Sequence, residues 1–342
     1  MPRLNLEEIG RLAGVSRSTV SRVVNGEANV SPDARARVEA VIAETGYRPH
    51  AAARSLASNQ TGIVGLVIPS AVETLFDDPY FGRLILGVSR ATNRVGSTLS
   101  LFLFEDEDEE ASIIPRVINP GLVDGVVVTA TLIGDPLIGE LCAAGMPFVV
   151  IGRPDDRCDV HSVDVDNRGG ARLAARHLAD LGRRRIGMIA PPSNTAAGAD
   201  RRSGFLEGLA EAGLDIGDRL REGQWSEESG RLAMVEILES EPDAVFAASD
   251  RMAVGALRAI REAGLRCPED VALVSFDGII NPGQTAPQLT SVTQPVFETG
   301  ERAAALLGEV TAGRVADPQQ IVLPVTLTVR ESCGARIAKA MA

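Results

Sequence analysis

From Gly62 onward, short apolar runs alternate with longer stretches of helical periodicity. IVGLVIP (63–69), TLSLFLF (98–104), DGVVVTA (124–130) and MPFVVIG (146–152) form one series. They are continuous rather than alternating in polarity, as strands of a parallel sheet covered on both faces are. A second series follows: RIGMIAP (185–191), a strand near Leu220 to Trp225, DAVFAAS (243–249) and VALVSFD (271–277). The spacing is similar in both, and the third strand of each opens on Asp, at Asp124 and Asp243. This weak internal duplication predicts an α/β domain of two doubly wound parallel-sheet lobes, one after the other. Such lobes form a cleft between the carboxyl ends of their strands, where open α/β sheets bind ligands.

The first sixty residues follow a different pattern. Asn5 can cap a helix, with Glu8 in capping-box position. Leu6, Ile9, Leu12 and Ala13 give that helix an apolar face, and Gly14 ends it. Val15 turns inward, and Ser16 caps a second helix from Arg17 to Val24 or Asn25. Ser31 caps a third, with Pro32 at the first position, where a missing N–H costs nothing. Val38, Val41 and Ile42 form its core face, Gly46 ends it, and Pro49 prevents resumption. A short helix, a turn containing Gly and a second short helix have helix-turn-helix spacing.

Charge sharpens this reading. The 342-residue chain has a formal net charge of −12, yet residues 1–60 carry eight Arg against six acids, a net of +2. An anionic polymer would be repelled by most of the surface and accepted at the N-terminal end. On the second helix Val20, Val23 and Val24 face the core, while Arg17, Ser18, Ser21, Arg22 and Asn25 form the opposite stripe. A merely solvated face usually carries Glu and Lys, and this one has neither. Guanidinium forks match the two acceptors of guanine, and hydroxyls and Asn reach phosphates or base edges, so the stripe suits a DNA major groove. The next apolar stretch, AAARSLAS, is a linker or a helix too short to be stable alone.

Residues just past the predicted strand ends include Glu105, Thr131, Gly152–Arg153, Trp225, Ser249–Asp250 and Asp277, with Arg201 at the start of the helix that follows 185–191. This set is polar, carries both signs and holds the chain's single Trp. Rings stack on sugar C–H faces while carboxylates and guanidinium groups clamp adjacent hydroxyls, so a polyhydroxylated small molecule fits. Arg153 and Arg201 together would tolerate an anionic sugar. Taken singly, Asp250 could be a helix cap and Trp225 a core residue.

Other chemistries find little support. No G-x-G-x-x-G follows a strand and no Gly-rich loop ends in Lys, the only Lys being Lys339. His50, His161 and His177 lack metal-ligand spacing, and the four cysteines are scattered and read as free thiols. No cofactor and no metal are expected, and the chain is not expected to be an enzyme. The N-terminus shows no secretory signal and no run of 18 apolar residues occurs, so a cytoplasmic location without membrane contact is expected.

LEEIGRLAGVSRSTVSRVVNG (6–26) and VSPDARARVEAVIAETGYRPHAAARSL (30–56) closely resemble the DNA-binding signature of the lac-repressor/purine-repressor (LacI/GalR) family of bacterial transcription regulators. The resemblance implies base reading by Arg17, Ser18 and Arg22. It implies phosphate contacts by Ser16, Thr19, Ser21, Asn25 and Ser31, and a hinge helix over Ala51 to Ala57 whose Leu56 wedges into the minor groove. It divides the chain into a DNA-binding domain (1–49), a hinge (50–61) and a domain for ligand binding and dimerisation (62–342). The first lobe would take about 62–162 and 291–324, the second about 163–290 and 325–342. DPYFGRLILGV places cleft residues on Tyr80 and Phe81, and SVDVDNRGG marks a crossover with Asp164 directed at the cleft. DRRSGF places the ligand-clamping arginine on Arg201, EGQWSEESG an aromatic platform on Trp225, ASDRMAVGALRAI a hydrogen-bonding pair on Ser249–Asp250, and VSFDG an acid on Asp277. Family members often carry Asn where Ser249 stands. With no leucine heptad after Arg330, a homodimer on a double-stranded operator is expected, controlled by a small-molecule effector such as a carbohydrate. A regulator with no small-molecule ligand, and a cleft enzyme fused to a DNA-binding segment, remain alternatives.

Overall fold

The computed structural model describes residues 4–24, 29–47, 60–69, 72–104, 106–119, 121–129, 132–154 and 159–335. The N-terminal unit has three helices: α1 (Leu6–Ala13), α2 (Arg17–Val24) and α3 (Pro32–Thr45). Asn5 and Glu8 complete a reciprocal capping box, and Gly14 and Gly46 end α1 and α3 in the left-handed region. Ile9, Val20 and Val38 are fully buried at the centre, joined by Ala13 and Val23. Leu12, expected on the apolar face of α1, is instead 52% exposed. The core stripe of α1 runs through Ile9 and Ala13, and Leu12 falls beside it.

Residues 63 onward build two six-stranded sheets among the described residues. The first contains β1 (Ile63–Pro69), β2 (Thr98–Phe104), β3 (Gly125–Val128), β4 (Phe148–Ile151), β5 (Ser162–Val165) and β11 (Gln320–Leu323), in the order β2-β1-β3-β4-β5-β11. The second contains β6 (Ile186–Ala190), β7 (Leu220–Glu222), β8 (Ala244–Ala247), β9 (Ala272–Asp277), β10 (Thr290–Thr293) and β12 (Thr326–Thr328), in the order β7-β6-β8-β9-β10-β12. The winding is the same in both, as the duplicated pattern predicts. The last strand differs: β11 joins β5 in parallel, whereas β12 runs antiparallel to β10.

Helices cover the sheets. The first lobe has α4 (Val72–Asp77), α5 (Pro79–Arg94), α6 (Glu107–Ile118), α7 (Pro136–Ala143) and α12 (Val296–Thr311). The second has α8 (Asn167–Asp180), α9 (Ala196–Glu211), α10 (Glu227–Leu238) and α11 (Asp250–Glu262). Helices α5 and α12 pack backbone to backbone: a Cβ on Gly87 would lie 2.1 Å from the Phe297 carbonyl oxygen, so only glycine fits there.

The chain crosses between lobes three times. Ser162–Val165 belongs to the first sheet and Thr290–Thr293 to the second. The first two crossings therefore follow Val165 and Thr293, a few residues beyond the expected boundaries near 162 and 290. Both segments, SVDV and TSVT, are polar enough to read as loops, yet parallel pairing with β4 and β9 makes them strands. The third crossing lies between Leu323 and Thr326.

Candidate nucleic-acid interface and interlobe site

Ser16 organises the start of α2. Its Oγ accepts the Thr19 N–H at 3.2 Å and lies 2.8 Å from Ser18 Oγ and 2.9 Å from Thr19 Oγ1. Capping fixes the helix end, so Arg17, Ser18 and Arg22 project from one exposed face while Val20 and Val23 go to the core. Ser31 Oγ accepts from the Ala34 N–H at the head of α3. Ser16, Thr19, Arg22 and Ser31 line one concave patch. Two helix N-termini thus open toward the same place, with hydroxyls and a guanidinium between them, an arrangement suited to anionic oxygens. Ser21 is half-buried. Asn25 and Leu56, with the rest of the expected hinge helix, lie outside the described residues.

Between the lobes, Arg201 on the second turn of α9 is 4% exposed. Its Nη1 donates to Asp277 Oδ1 at 2.9 Å and to the Ala248 carbonyl at 2.7 Å, and its Nε donates to Asn167 Oδ1 at 2.9 Å. The guanidinium lies 3.7 Å from the Phe276 ring centroid and 5.5 Å from that of Trp225. Asp277 ends β9 at φ 106, a backbone region that costs a non-glycine residue energy and persists where surroundings over-determine it. The surroundings here are Arg201, the Gln294 amide at 2.7 Å and the Asp250 N–H. Burial pushes the Asp277 carboxyl up to about 7, against the opposing pull of Arg201.

The first lobe contributes Tyr80, whose hydroxyl is raised above its ordinary value by burial and which interacts with the charges of Arg201, Asp164 and Asp277. Asp164, on β5, accepts from the Val165 N–H and the Asn167 amide, and burial lifts it to about 6. Further polar contacts join the lobes among the described residues. Arg153 makes a two-pronged pair with Asp200 at 3.0 and 3.1 Å. Arg83 donates to the Ile279 carbonyl at 2.9 Å, and the Ile133 N–H donates to the Asn194 carbonyl at 2.7 Å. Arg251 Nη1 lies 3.8 Å from Asp78 Oδ2 and donates to the Trp225 carbonyl at 3.0 Å.

The chain that folds into this capped helix-turn-helix and two doubly wound lobes matches known proteins over nearly its whole length. Residues 5–50 match the family described as bacterial regulatory proteins, lacI family, and residues 175–333 match a periplasmic binding protein-like domain. The HTH-type transcriptional regulator CelR of Thermobifida fusca is 40% identical over 335 residues, covering 96% of this chain and 98% of CelR. This chain belongs to the lacI family. Among solved structures, a transcriptional regulator CelR–cellobiose complex is similar at 38% identity and a TM-score of 0.77, covering 96% of this chain and 100% of that one. The lac repressor dimer bound to operator and the anti-inducer ONPF aligns at 26% identity with a TM-score of 0.84, covering 96% and 99%. The protein is thus a lacI-family transcriptional regulator with a DNA-binding helix-turn-helix.

Within this lacI-family frame, several expected ligand positions are occupied by structural work. Ser249 is the N-cap of α11, its Oγ accepting from the Met252 N–H. Asp250, expected as a hydrogen-bonding partner for a ligand, is 1% exposed. Its carboxylate accepts from the Ser275 and Ser291 hydroxyls and from the Ile279 and Ile280 amides. It fixes the loop after β9 and has its acceptor sites filled. Phe81 is buried in the first-lobe core, edge-on to Tyr80. Arg153 engages Asp200 across the lobes. Arg201, Asp277, Trp225, Tyr80 and Asp164 are the expected residues that the fold brings together.

Sequence reasoning missed Asn167, Gln294, Asp78 and Arg251. Asn167 and Gln294 sit at the first two crossings, two residues and one residue past strands too polar to stand out in the sequence. Asp78 was visible in the sequence as the residue before Pro79, a helix-start signal, and it does cap α5 by accepting from the Tyr80 N–H. Its second role depends on a partner far away in sequence.

Proposed function

We propose that this regulator is a repressor that binds a near-palindromic operator as a homodimer, with operator affinity set by a neutral saccharide held between its lobes. The supporting observation is the buried Arg201–Asp277 pair flanked by Trp225, with Tyr80 and Asp164 facing it from the other lobe. A guanidinium and carboxylate held side by side match adjacent sugar hydroxyls, and an indole matches a sugar ring face. Arg201 and Arg153 are already paired with Asp277 and Asp200. Binding an anion would require breaking those pairs, so an uncharged ligand is favoured over the anionic sugar that two arginines alone would suggest. Likeness to a CelR–cellobiose complex points to a short β-linked glucose oligomer.

In this reading Arg17, Ser18 and Arg22 meet base edges, while Ser16, Thr19, Ser21, Asn25 and Ser31 meet phosphates. Two copies are needed because one recognition helix covers one half-site. The hinge helix expected over Ala51 to Ala57 orders on the operator and places Leu56 in the minor groove. Saccharide binding changes how the lobes sit, and the change reaches DNA as a coupling free energy of about 1–3 kcal/mol. Calorimetric titration with cellobiose, glucose, glucuronate and a nucleoside tests the effector. Saturable binding of cellobiose, lost in Arg201→Ala, is expected; tighter binding of glucuronate would remove the neutral-saccharide reading.

A further inference from the structure

Asp78 and Arg251 come from different lobes and are brought together only by the fold. Asp78 precedes α5 in the first lobe, and Arg251 is the second residue of α11 in the second. Their side chains are 14% and 15% exposed, and the carboxylate and guanidinium are 3.8 Å apart. Each has a further task in its own lobe. Asp78 Oδ1 accepts the Tyr80 N–H, and Arg251 Nη1 donates to the Trp225 carbonyl. The pair therefore joins the start of α5, which carries Tyr80, to the loop that carries Trp225.

We infer that Asp78 and Arg251 are positioning residues that form a clasp, holding the lobes closed before any effector enters and presenting Tyr80 opposite Trp225. The inference rests on the cleft being the effector site. A mostly desolvated pair behaves differently from a surface pair. Removing one partner leaves the other charge buried and unmatched, which disfavours closure strongly; removing both relieves that penalty. Opening the lobes rehydrates whichever charge remains. The pair should thus be strongly non-additive. The exposed Arg153–Asp200 bridge, with Arg153 47% exposed, lacks this property and contributes less.

The structure supplies a reporter of closure. The Ile133 N–H donates to the Asn194 carbonyl of the other lobe, so parting of the lobes frees it to exchange with solvent. The Thr129 N–H donates to the Val67 carbonyl inside the first lobe and reports unfolding instead. Asp78→Asn keeps the helix cap while removing the charge, and Arg251→Gln keeps a donor for Trp225. Hydrogen exchange would be measured on the full chain without ligand. Each single substitution is expected to speed exchange at Ile133 about tenfold with Thr129 unchanged, and the double variant should be no faster than either single. Unchanged exchange at Ile133 in both single variants, or effects that multiply in the double, would overturn the clasp. If Asp78→Asn unfolds the first lobe, shown by Thr129, the comparison of Arg251→Gln with Arg251→Lys decides: Lys should restore slow exchange. A parallel cellobiose titration separates the two readings. A wild-type chain that binds no saccharide yet shows the exchange pattern loses the effector assignment and keeps the clasp, and the reverse outcome loses the clasp alone.

Discussion

Arg201 Nη1 and Asp277 Oδ1 meet at 2.9 Å inside the second lobe, both almost wholly removed from solvent. The pair links β9 to α9, and two of its further partners, Asn167 and Gln294, come from the first two of the three crossings between lobes. The ligand-binding pair proposed above and two of the interlobe crossings are therefore one hydrogen-bonded unit.

Breaking that unit should be costly in two ways. Arg201→Ala leaves a buried, unpaired carboxylate, and a loss of about 3–5 kcal/mol of stability is expected for a broken buried pair. Denaturant melts would read the stability, and calorimetry the saccharide affinity. A variant with wild-type stability but no binding would mean the pair is held for the ligand alone.

Asp277 also sets a pH dependence. Its folded value of about 7 stands above the ordinary carboxylate value of 3.8, so the folded state holds the proton more tightly than the unfolded one. The stability this supplies is present below about pH 4 and is lost as pH rises toward 7, with little change beyond. Asp164, lifted to about 6, acts in the same direction. Melting temperature measured from pH 5 to 8 should therefore fall more steeply in the wild type than in Asp277→Asn. Parallel curves would show that Asp277 does not titrate in this window.

Ser249 and Asp250 separate capping from ligand binding. Ser249→Ala should cost about 1 kcal/mol, the usual worth of an N-cap, and leave saccharide affinity unchanged. Ser249→Asn preserves the cap and should be neutral in stability. If Ser249→Ala weakens saccharide binding without changing the melt, the hydroxyl contacts ligand after all.

At the DNA end, Arg17→Ala should weaken operator binding by about 1–3 kcal/mol and relax preference at one base position. Equal weakening on all duplexes would make Arg17 a phosphate contact. Leu56→Ala should reduce specific binding more than non-specific binding. Equal losses would remove the minor-groove wedge.

Much of this was legible in the chain. Capping residues Asn5, Ser16 and Ser31 with glycines 14 and 46 mark the small domain because they act within a few residues of themselves. The buried runs at 63–69 and 244–247 announce strands because both sheet faces are covered. Segments such as SVDV at 162–165 and TLT at 326–328 were not legible. Their polarity is that of a loop, and only pairing with β4 or β10 makes them strands. The site divides along the same line. Arg201, Trp225 and Asp277 lie beside strand ends that could be read, whereas Gln294 and Arg251 gain their roles from contacts across long separations. Asp250 shows the same dependence: its place beside a strand end is visible in the sequence, whereas its four protein donors, Ser275, Ser291, Ile279 and Ile280, come from residues distant in the chain.

The most direct test is fluorescence anisotropy of the purified chain on duplexes selected from a random pool, with and without cellobiose. The expected result is enrichment of a twofold-symmetric sequence, bound by two chains, with affinity shifted about five- to 150-fold by cellobiose. Binding with no preference for a symmetric sequence, whether or not saccharide is present, would contradict the account.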